Sequence, residues 1–524
     1  MINRRFRHPM TVLALALCFG FAAALPAMAA TAYAYKKPVR SAKLPRTSPE
    51  SKNINSLYIL NLLDDLERRG IEVHSVIMAV GGEVVFEGYY NPYNPDDPYI
   101  IHSLTKLFTN TAAGIAVTEG KLKLSDKVVD YFPDLVPADA GDNLKAMTAK
   151  DLIAQRSGHG RMISGNEWRP LKTSWLEAFL KEPVPHKPGE VYQYSSGNTY
   201  VLSAMVQKAT GMTCEEVLRR SVIPALGIEH FSWDKSPEGI CSGGNGVMVT
   251  PEDILKIGVL YLQKGVWNGK RLLTEEWCDE SLSLKDALYD GDVKNGYHWE
   301  DMDGIISAGG AFGQCLLVVP ALDMTVVLTG GTTQPYLKVY PDVLRKNVVD
   351  PTLADADRKY DGAYAEVLKR KGTQLNLLSL ATPSFSPLAE AINGKTFAIE
   401  ENPDGITAIR LDFTDDSVAY TMVDGRGIHT VVNGVGSWMP GLTTMTGNYL
   451  HHQYQNPVQK VVASAQWVDD NTLTLDWAFT EMAFRDHLVI KLTEDSLSMV
   501  RSVNANSKGP FGGMERPEVK GKLE

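Results

Sequence analysis

The sequence predicts an α/β fold, a sheet with helices divided by an inserted all-α subdomain, followed by a C-terminal antiparallel all-β barrel or sandwich. Three observations carry that expectation. Strand-like runs at residues 75–80 and 84–89 are matched, much later, by runs at 305–306, 315–319 and 324–329. The stretch between them, from Ser125 to about Leu282, is mostly helical in pattern. Strands on both sides of a helical block imply one sheet interrupted by an insertion. Beyond about residue 383, short alternating runs separated by turn dipeptides take over, the pattern of an antiparallel barrel or sandwich. At 524 residues, 44% hydrophobic and 22% charged, the chain is long enough for two domains.

Residues 1–29 read as a secretory signal: Arg4, Arg5 and Arg7 precede an apolar stretch, and Ala27-Met28-Ala29 supplies a small-x-small cleavage pattern. The apolar run is short and quickly followed by Pro26, which argues against a stable membrane span in the mature chain. The expected localisation is therefore exported, periplasmic or extracellular. Residues 30–51 mix Lys, Arg, Pro, Ser and Ala without periodicity and read as a flexible leader.

The first folded unit is expected over residues 52–350. Leu57, Leu60, Leu63 and neighbours keep helical spacing up to Arg68-Arg69-Gly70, and Gly81-Gly82 joins the first two strands as a hairpin. Leu104, Leu107, Phe108, Ala112, Ile115 and Ala116 then mark a helix that stops at Gly120. A last helical pattern covers 337–348. Residues 351–382 read as a charged helical connector ending at Ala381-Thr382-Pro383. The β-rich domain is expected over 383–505, with strands at 396–399, 407–413, 418–423, 428–432, 461–467, 472–477 and 487–492. Residues 506–524, rich in Gly, Lys, Pro and Glu, read as a mobile tail.

Several classes are disfavoured. A formal net charge of −10 argues against nucleic acid as a partner. No C-x-x-C or H-E-x-x-H spacing occurs, so no metal and no other cofactor is expected. Cys214, Cys241, Cys278 and Cys315 follow the signal; disulfides and buried free thiols both remain open readings. Nothing in the sequence specifies an oligomeric state.

The chemistry points to Ser103-Leu104-Thr105-Lys106 and to Tyr194-Ser195-Ser196. A serine and a lysine three apart at a helix start face the same way. That spacing brings an amine near a hydroxyl, which is a poor nucleophile until a neighbour accepts its proton. Such a pair alone is common. It gains weight from Lys187-Pro188-Gly189-Glu190 ahead of Tyr194, from Gly243-Gly244-Asn245-Gly246 ahead of Thr250-Pro251-Glu252-Asp253, and from Ala308-Gly309-Gly310-Ala311-Phe312-Gly313-Gln314.

In this order, across about three hundred residues, these motifs resemble the serine hydrolases related to class C β-lactamases and penicillin-binding proteins. That group includes esterases, D-amino-acid peptidases and aminohexanoate-oligomer hydrolases. The resemblance implies a β-lactamase-like fold and a small-molecule or peptide-like ester or amide as substrate. It also implies Ser103 as nucleophile, with Lys106 and Tyr194 as proton carriers. The oxyanion would be held by the backbone N–H groups of Ser103 and Ala311, since Gly310 aligns with the glycine of the family's K-T-G. Ser196 would face the substrate. A tyrosine with a pKa near 10 is a poor base at neutral pH and would need the field of the lysine.

Two departures shape the expected substrate. Ser196 stands where β-lactamases carry Asn, and residues 305–318 contain no Lys, Arg or His to attract a substrate carboxylate. Both favour an esterase or amidase. The alternatives are a β-lactamase or DD-peptidase acting on cell-wall substrates, and a non-catalytic binding module of the same fold. Because none of the four motifs lies beyond residue 383, the β-rich domain is expected to fold separately and leave the chemical machinery complete without it.

Overall fold

The computed structural model describes residues 41–163, 165–283, 288–290, 293–295, 297–355, 359–454, 456–506 and 513–524. The expected signal at residues 1–29 and residues 30–40 of the expected leader lie outside the described residues. Among those described, no helix is long and apolar enough to cross a membrane.

The first sheet is built on β1 (Val73–Val80), β2 (Glu83–Tyr89), β3 (Ile305–Gly310), β4 (Gln314–Val319) and β5 (Met324–Gly330), in the order β2-β1-β5-β4-β3. Short strands at Glu300–Met302, Val293–Asn295 and Leu288–Asp290 extend its far edge. β1 and β5 pair antiparallel although the helical insertion separates them in sequence. Every residue of β1 is buried because both faces of the sheet are covered. Alternation sorts the side chains: Ile77, Ala79, Leu316 and Val318 join the core of the helical block. Met78, Val80, Leu317 and Val319 pack against α1 (Ser56–Arg68) and α5 (Tyr336–Leu344) instead.

Within the insertion, α2 (Lys106–Thr118), α3 (Ser196–Thr210) and α4 (Pro251–Leu262) carry or follow the motifs. Thr250 caps α4 by accepting from the Asp253 N–H, with Pro251 in the first turn. Asp151 completes a capping box with Thr148, a local role. All four described cysteines are free and buried.

The C-terminal region is a closed barrel of nine strands. Antiparallel pairs run from Gly427–Val435 through Thr396–Ile399 and Val519–Leu523 to Gln459–Trp467. A parallel pairing of Gly434 with Ser464 and Val435 with Ala465 shuts the ring. Met439–Thr443 adds a strand along the rest of that last edge.

Two expectations need correction. The tail was expected to be mobile, yet Val519–Leu523 pairs with both Thr396–Ile399 and Ser496–Val503 and is needed for closure. Val519 turns inward, and its alternation outweighs a composition typical of loops. The leader was expected to be flexible, yet its residues from 41 onward are docked. Leu44 N–H donates to Glu252 Oε1 at 2.7 Å, and Arg46 makes a two-pronged pair with the same carboxylate at 2.7 and 2.8 Å.

The two parts also touch extensively. The barrel core includes Ile100 and Phe312 from the hydrolase part. Ile100 N–H donates to the Glu481 carbonyl at 2.9 Å. Glu72 receives Arg485 at 2.8 and 2.6 Å and Asn504 at 2.8 Å, while Asp97 pairs with Lys460 and Thr480. Ile100 and Phe312 thus reach into the barrel's own core, and a polar seam joins the two parts beside them.

Candidate active site

Ser103 sits in a single 3₁₀ turn, His102–Thr105, that runs directly into α2. This turn gives Ser103 its partial exposure while its neighbours His102 and Leu104 are buried. His102 is held at φ +48°, a left-handed conformation that a non-glycine residue adopts only when its surroundings enforce it. Those surroundings are Phe312, His452, Tyr454 and Phe484, whose rings lie 5.2 to 5.9 Å from the His102 ring. Three of the four come from the barrel.

The end of β3 passes tightly against the same turn. A Cβ at Gly310 would collide with the Ile101 carbonyl oxygen and lie 3.1 Å from Ser103 N, so only glycine fits. Ala311 follows, and the chain then reverses through Phe312 at φ +68°. Gln314 braces the reversal: its Nε2 donates to the carbonyls of Ala311 and Gly330, both at 3.0 Å, and its Oε1 accepts from Gly330 N–H.

Lys106, 2% exposed, reaches from α2 toward the start of α3. Its Nζ donates to the Gly244 carbonyl at 2.9 Å and to Ser196 Oγ at 3.3 Å, and lies 4.6 Å from the centre of the Tyr194 ring. Gly244 allows this approach, since a Cβ there would stand 2.7 Å from Ser196 Cβ. Thr109 Oγ1 of α2 donates to the Gly243 carbonyl at 2.7 Å, and the Val247 N–H donates to Thr105 Oγ1 of the serine turn at 3.1 Å. Burial lowers the Lys106 pKa from its ordinary 10.5 to about 7. The amine is therefore substantially neutral near physiological pH.

Burial is the main influence on the Tyr194 phenol; the Ser103 hydroxyl beside it acts in the opposite direction, lowering its pKa. Burial prevails, and the nearby Glu300 charge adds to it, so Tyr194 is pushed well above its ordinary value. The expected lowering of the Tyr194 pKa by the field of Lys106 is not found.

A cavity of about 450 Å³ is lined by Ser103, Lys106, Tyr194 and Ala311, together with Gln155 and Glu300. Ser196, expected to face substrate, and Gly310, expected beside the oxyanion site, are not among its lining residues. Gly310 packs behind the serine turn, and Ser196 engages Lys106. His298 and Trp299 do line it; burial, with Lys106 adding to it, lowers the His298 pKa to about 3. His159 bonds Ser157 instead, at 2.9 Å.

Gln155, Glu300 and Tyr336 escaped the sequence reading. Gln155 is held by Ser195 N–H and Asn198 Nδ2 donating to its Oε1 at 2.7 and 3.0 Å. Glu300 directly follows His298 and Trp299, which line the cavity with it.

Residues 61–338 match the family described as Beta-lactamase. The 6-aminohexanoate-dimer hydrolase of Paenarthrobacter ureafaciens is 24% identical over 303 residues, covering 52% of this chain and 76% of that protein. Protein flp of Staphylococcus aureus is 28% identical over 184 residues, covering 33% of this chain and 37% of its own length. Among solved structures, a Bacillus anthracis protein named as a candidate 6-aminohexanoate-dimer hydrolase superposes with a TM-score of 0.50 at 18% identity. It covers 62% of this chain and 90% of its own. With the family match spanning more than half of the sequence over the fold and cavity described above, this chain belongs to the Beta-lactamase family and is a serine hydrolase.

Proposed function

We propose that the protein cleaves esters or amides through an acyl-enzyme on Ser103, with Lys106 and Tyr194 moving the protons. The observation that carries this reading is the meeting of Ser103, Tyr194 and a largely neutral Lys106 on one cavity. Ser103 Oγ attacks the carbonyl carbon while its proton passes to the Tyr194 oxygen. Tyr194 in turn hands its own proton to the Lys106 amine, so no phenolate has to persist. The oxyanion is held by the N–H groups of Ser103 and Ala311. Collapse breaks the bond to the leaving group, which takes back a proton through Tyr194. Water then repeats the sequence and releases the acid.

The name of the Paenarthrobacter relative favours an amide among the substrates. The lack of any Lys, Arg or His over residues 305–318 disfavours β-lactams, whose carboxylate needs a cationic partner. Export to the periplasm or outside the cell follows from the signal-like segment at 1–29.

The test exposes the protein and its Ser103→Ala variant to a butyryl aryl ester and a chromogenic cephalosporin. Intact-mass spectra should show an acyl adduct on the native chain alone, and kcat/KM should favour the ester. Undiminished turnover by Ser103→Ala would reject the acyl-enzyme, and a preference for the cephalosporin would reject the substrate class.

A further inference from the structure

We propose that Gln155 is the positioning residue that sets Tyr194 for proton transfer, by gripping the chain on both sides of the tyrosine. This deepens the hydrolytic reading above and rests on it for the role of Tyr194.

Tyr194 lies near the end of a stretch, residues 182–195, that contains no helix or strand. No regular element fixes this stretch, so its place depends on what the chain is tied to. The tie is the turn at 155–158. His186 N–H donates to the Gly158 carbonyl at 3.1 Å, Gly189 N–H to the Arg156 carbonyl at 2.9 Å and Gln193 N–H to the Gln155 carbonyl at 2.8 Å. Gln155 makes a second hold with its side chain, where Oε1 accepts from Ser195 N–H at 2.7 Å. One residue thus bonds the backbone immediately before and immediately after Tyr194. The same Oε1 accepts from Asn198 Nδ2 at 3.0 Å, which extends the grip to the first turn of α3.

Two unfavourable features meet at this residue. Its backbone sits at φ +58°, in the left-handed region that residues with a side chain seldom adopt. Its Nε2 is buried and has no partner among the described residues, a cost that a fold bears only where something offsets it. Both costs fall on a side chain that is 1% exposed and borders the same cavity as Ser103 and Lys106. Strain gathered beside reacting groups points to a position held for function. The start of α3 has an anchor of its own. Ile163 N–H donates to Ser195 Oγ at 3.2 Å, and its carbonyl accepts from Ser196 N–H at 3.0 Å. Loss of the Gln155 amide therefore frees the tyrosine without releasing the helix.

The test compares the native protein with two variants. Gln155→Met keeps the length of the side chain and removes its acceptor, whereas Gln155→Glu keeps an acceptor. Kinetics are read on a butyryl aryl ester. A misplacement of about 1 Å costs on the order of 100-fold in rate. Gln155→Met should therefore lower kcat by about that factor while changing KM less than about threefold. Gln155→Glu should recover most of the loss. Hydrogen exchange should quicken in Gln155→Met across fragments covering residues 193–196 and stay native across 201–210. An unchanged kcat, a change confined to KM, a Glu variant as impaired as the Met variant, or quickened exchange throughout the molecule would each overturn the proposal. If the native protein turns over no ester, the hydrolytic reading fails by itself and exchange alone decides the grip. Loss of protection confined to 193–196 would then uphold it, and unchanged protection would reject it.

Discussion

Replacing Lys106 with methionine should abolish activity yet stabilise the fold in acid, because burial of this amine works against folding. Its pKa falls from 10.5 in the unfolded chain to about 7 in the native one. At about 1.36 kcal/mol for each tenfold change in proton affinity, that is roughly 5 kcal/mol against the protonated native state. The sign follows from proton counting. Between pH 7 and 10.5 the unfolded chain binds a proton that the native chain has released, so stability rises with pH across this window. Below pH 7 the full penalty is present. Lys106→Met removes it but leaves the Gly244 carbonyl without its donor, a loss of about 1–3 kcal/mol. The net gain in acid is then roughly 2–4 kcal/mol, and by pH 10.5 the variant should hold no advantage.

The assay is a pair of thermal melts, native and variant, at steps from pH 6 to 10. The difference between the two melting temperatures should favour the variant at pH 6 and shrink steadily toward pH 10. Native kcat/KM should show the same group from the other side. It should rise about tenfold per pH unit below neutrality and level off above about pH 7. A variant no more stable at pH 6, or a difference that ignores pH, would refute the buried-amine argument.

Lys106→Ala and Tyr194→Phe should each lower kcat by several orders of magnitude, and the double variant should lose little more, because parts of one proton path are not additive. A double variant showing the full product of both losses would break that unit apart. Gly310→Ala should destabilise by about 1–3 kcal/mol through overpacking and lower kcat at least 100-fold by displacing the Ser103 turn, read from melts and steady-state kinetics. Phe484→Ala should cost about 3–5 kcal/mol as a buried ring lost from the barrel. It should also lower kcat on a small ester more than it changes KM, whereas unchanged kcat would show that the His102 contact does not hold the serine.

Much of this fold could be read from local pattern. The Gly81-Gly82 hairpin, the helix after Leu104 and the alternation within Thr472–Phe479 each arise from neighbours in sequence, where residue period and turn chemistry operate. The serine–lysine spacing is local in the same way, and Tyr194 entered through the ordered motifs. What stayed hidden depends on partners far along the chain. Val519–Leu523 becomes a strand because two open edges await it, while its own Gly and Lys residues suggest a loop. Arg46 is ordered by Glu252, and His102 by barrel rings; no spacing links either pair. Glu300 reaches the cavity only because the sheet register sets it beside β3.

The shared core around Ile100 and Phe312 also sets an order of events in refolding. The reacting turn comes early in the sequence, yet the contacts that hold His102 in its unusual conformation come from Tyr454 and Phe484, near the other end. Contacts of such long sequence separation close late, because loop entropy must be overcome first. Helical circular dichroism should therefore recover before hydrolytic activity does, and the lag should match the return of tryptophan burial in the barrel.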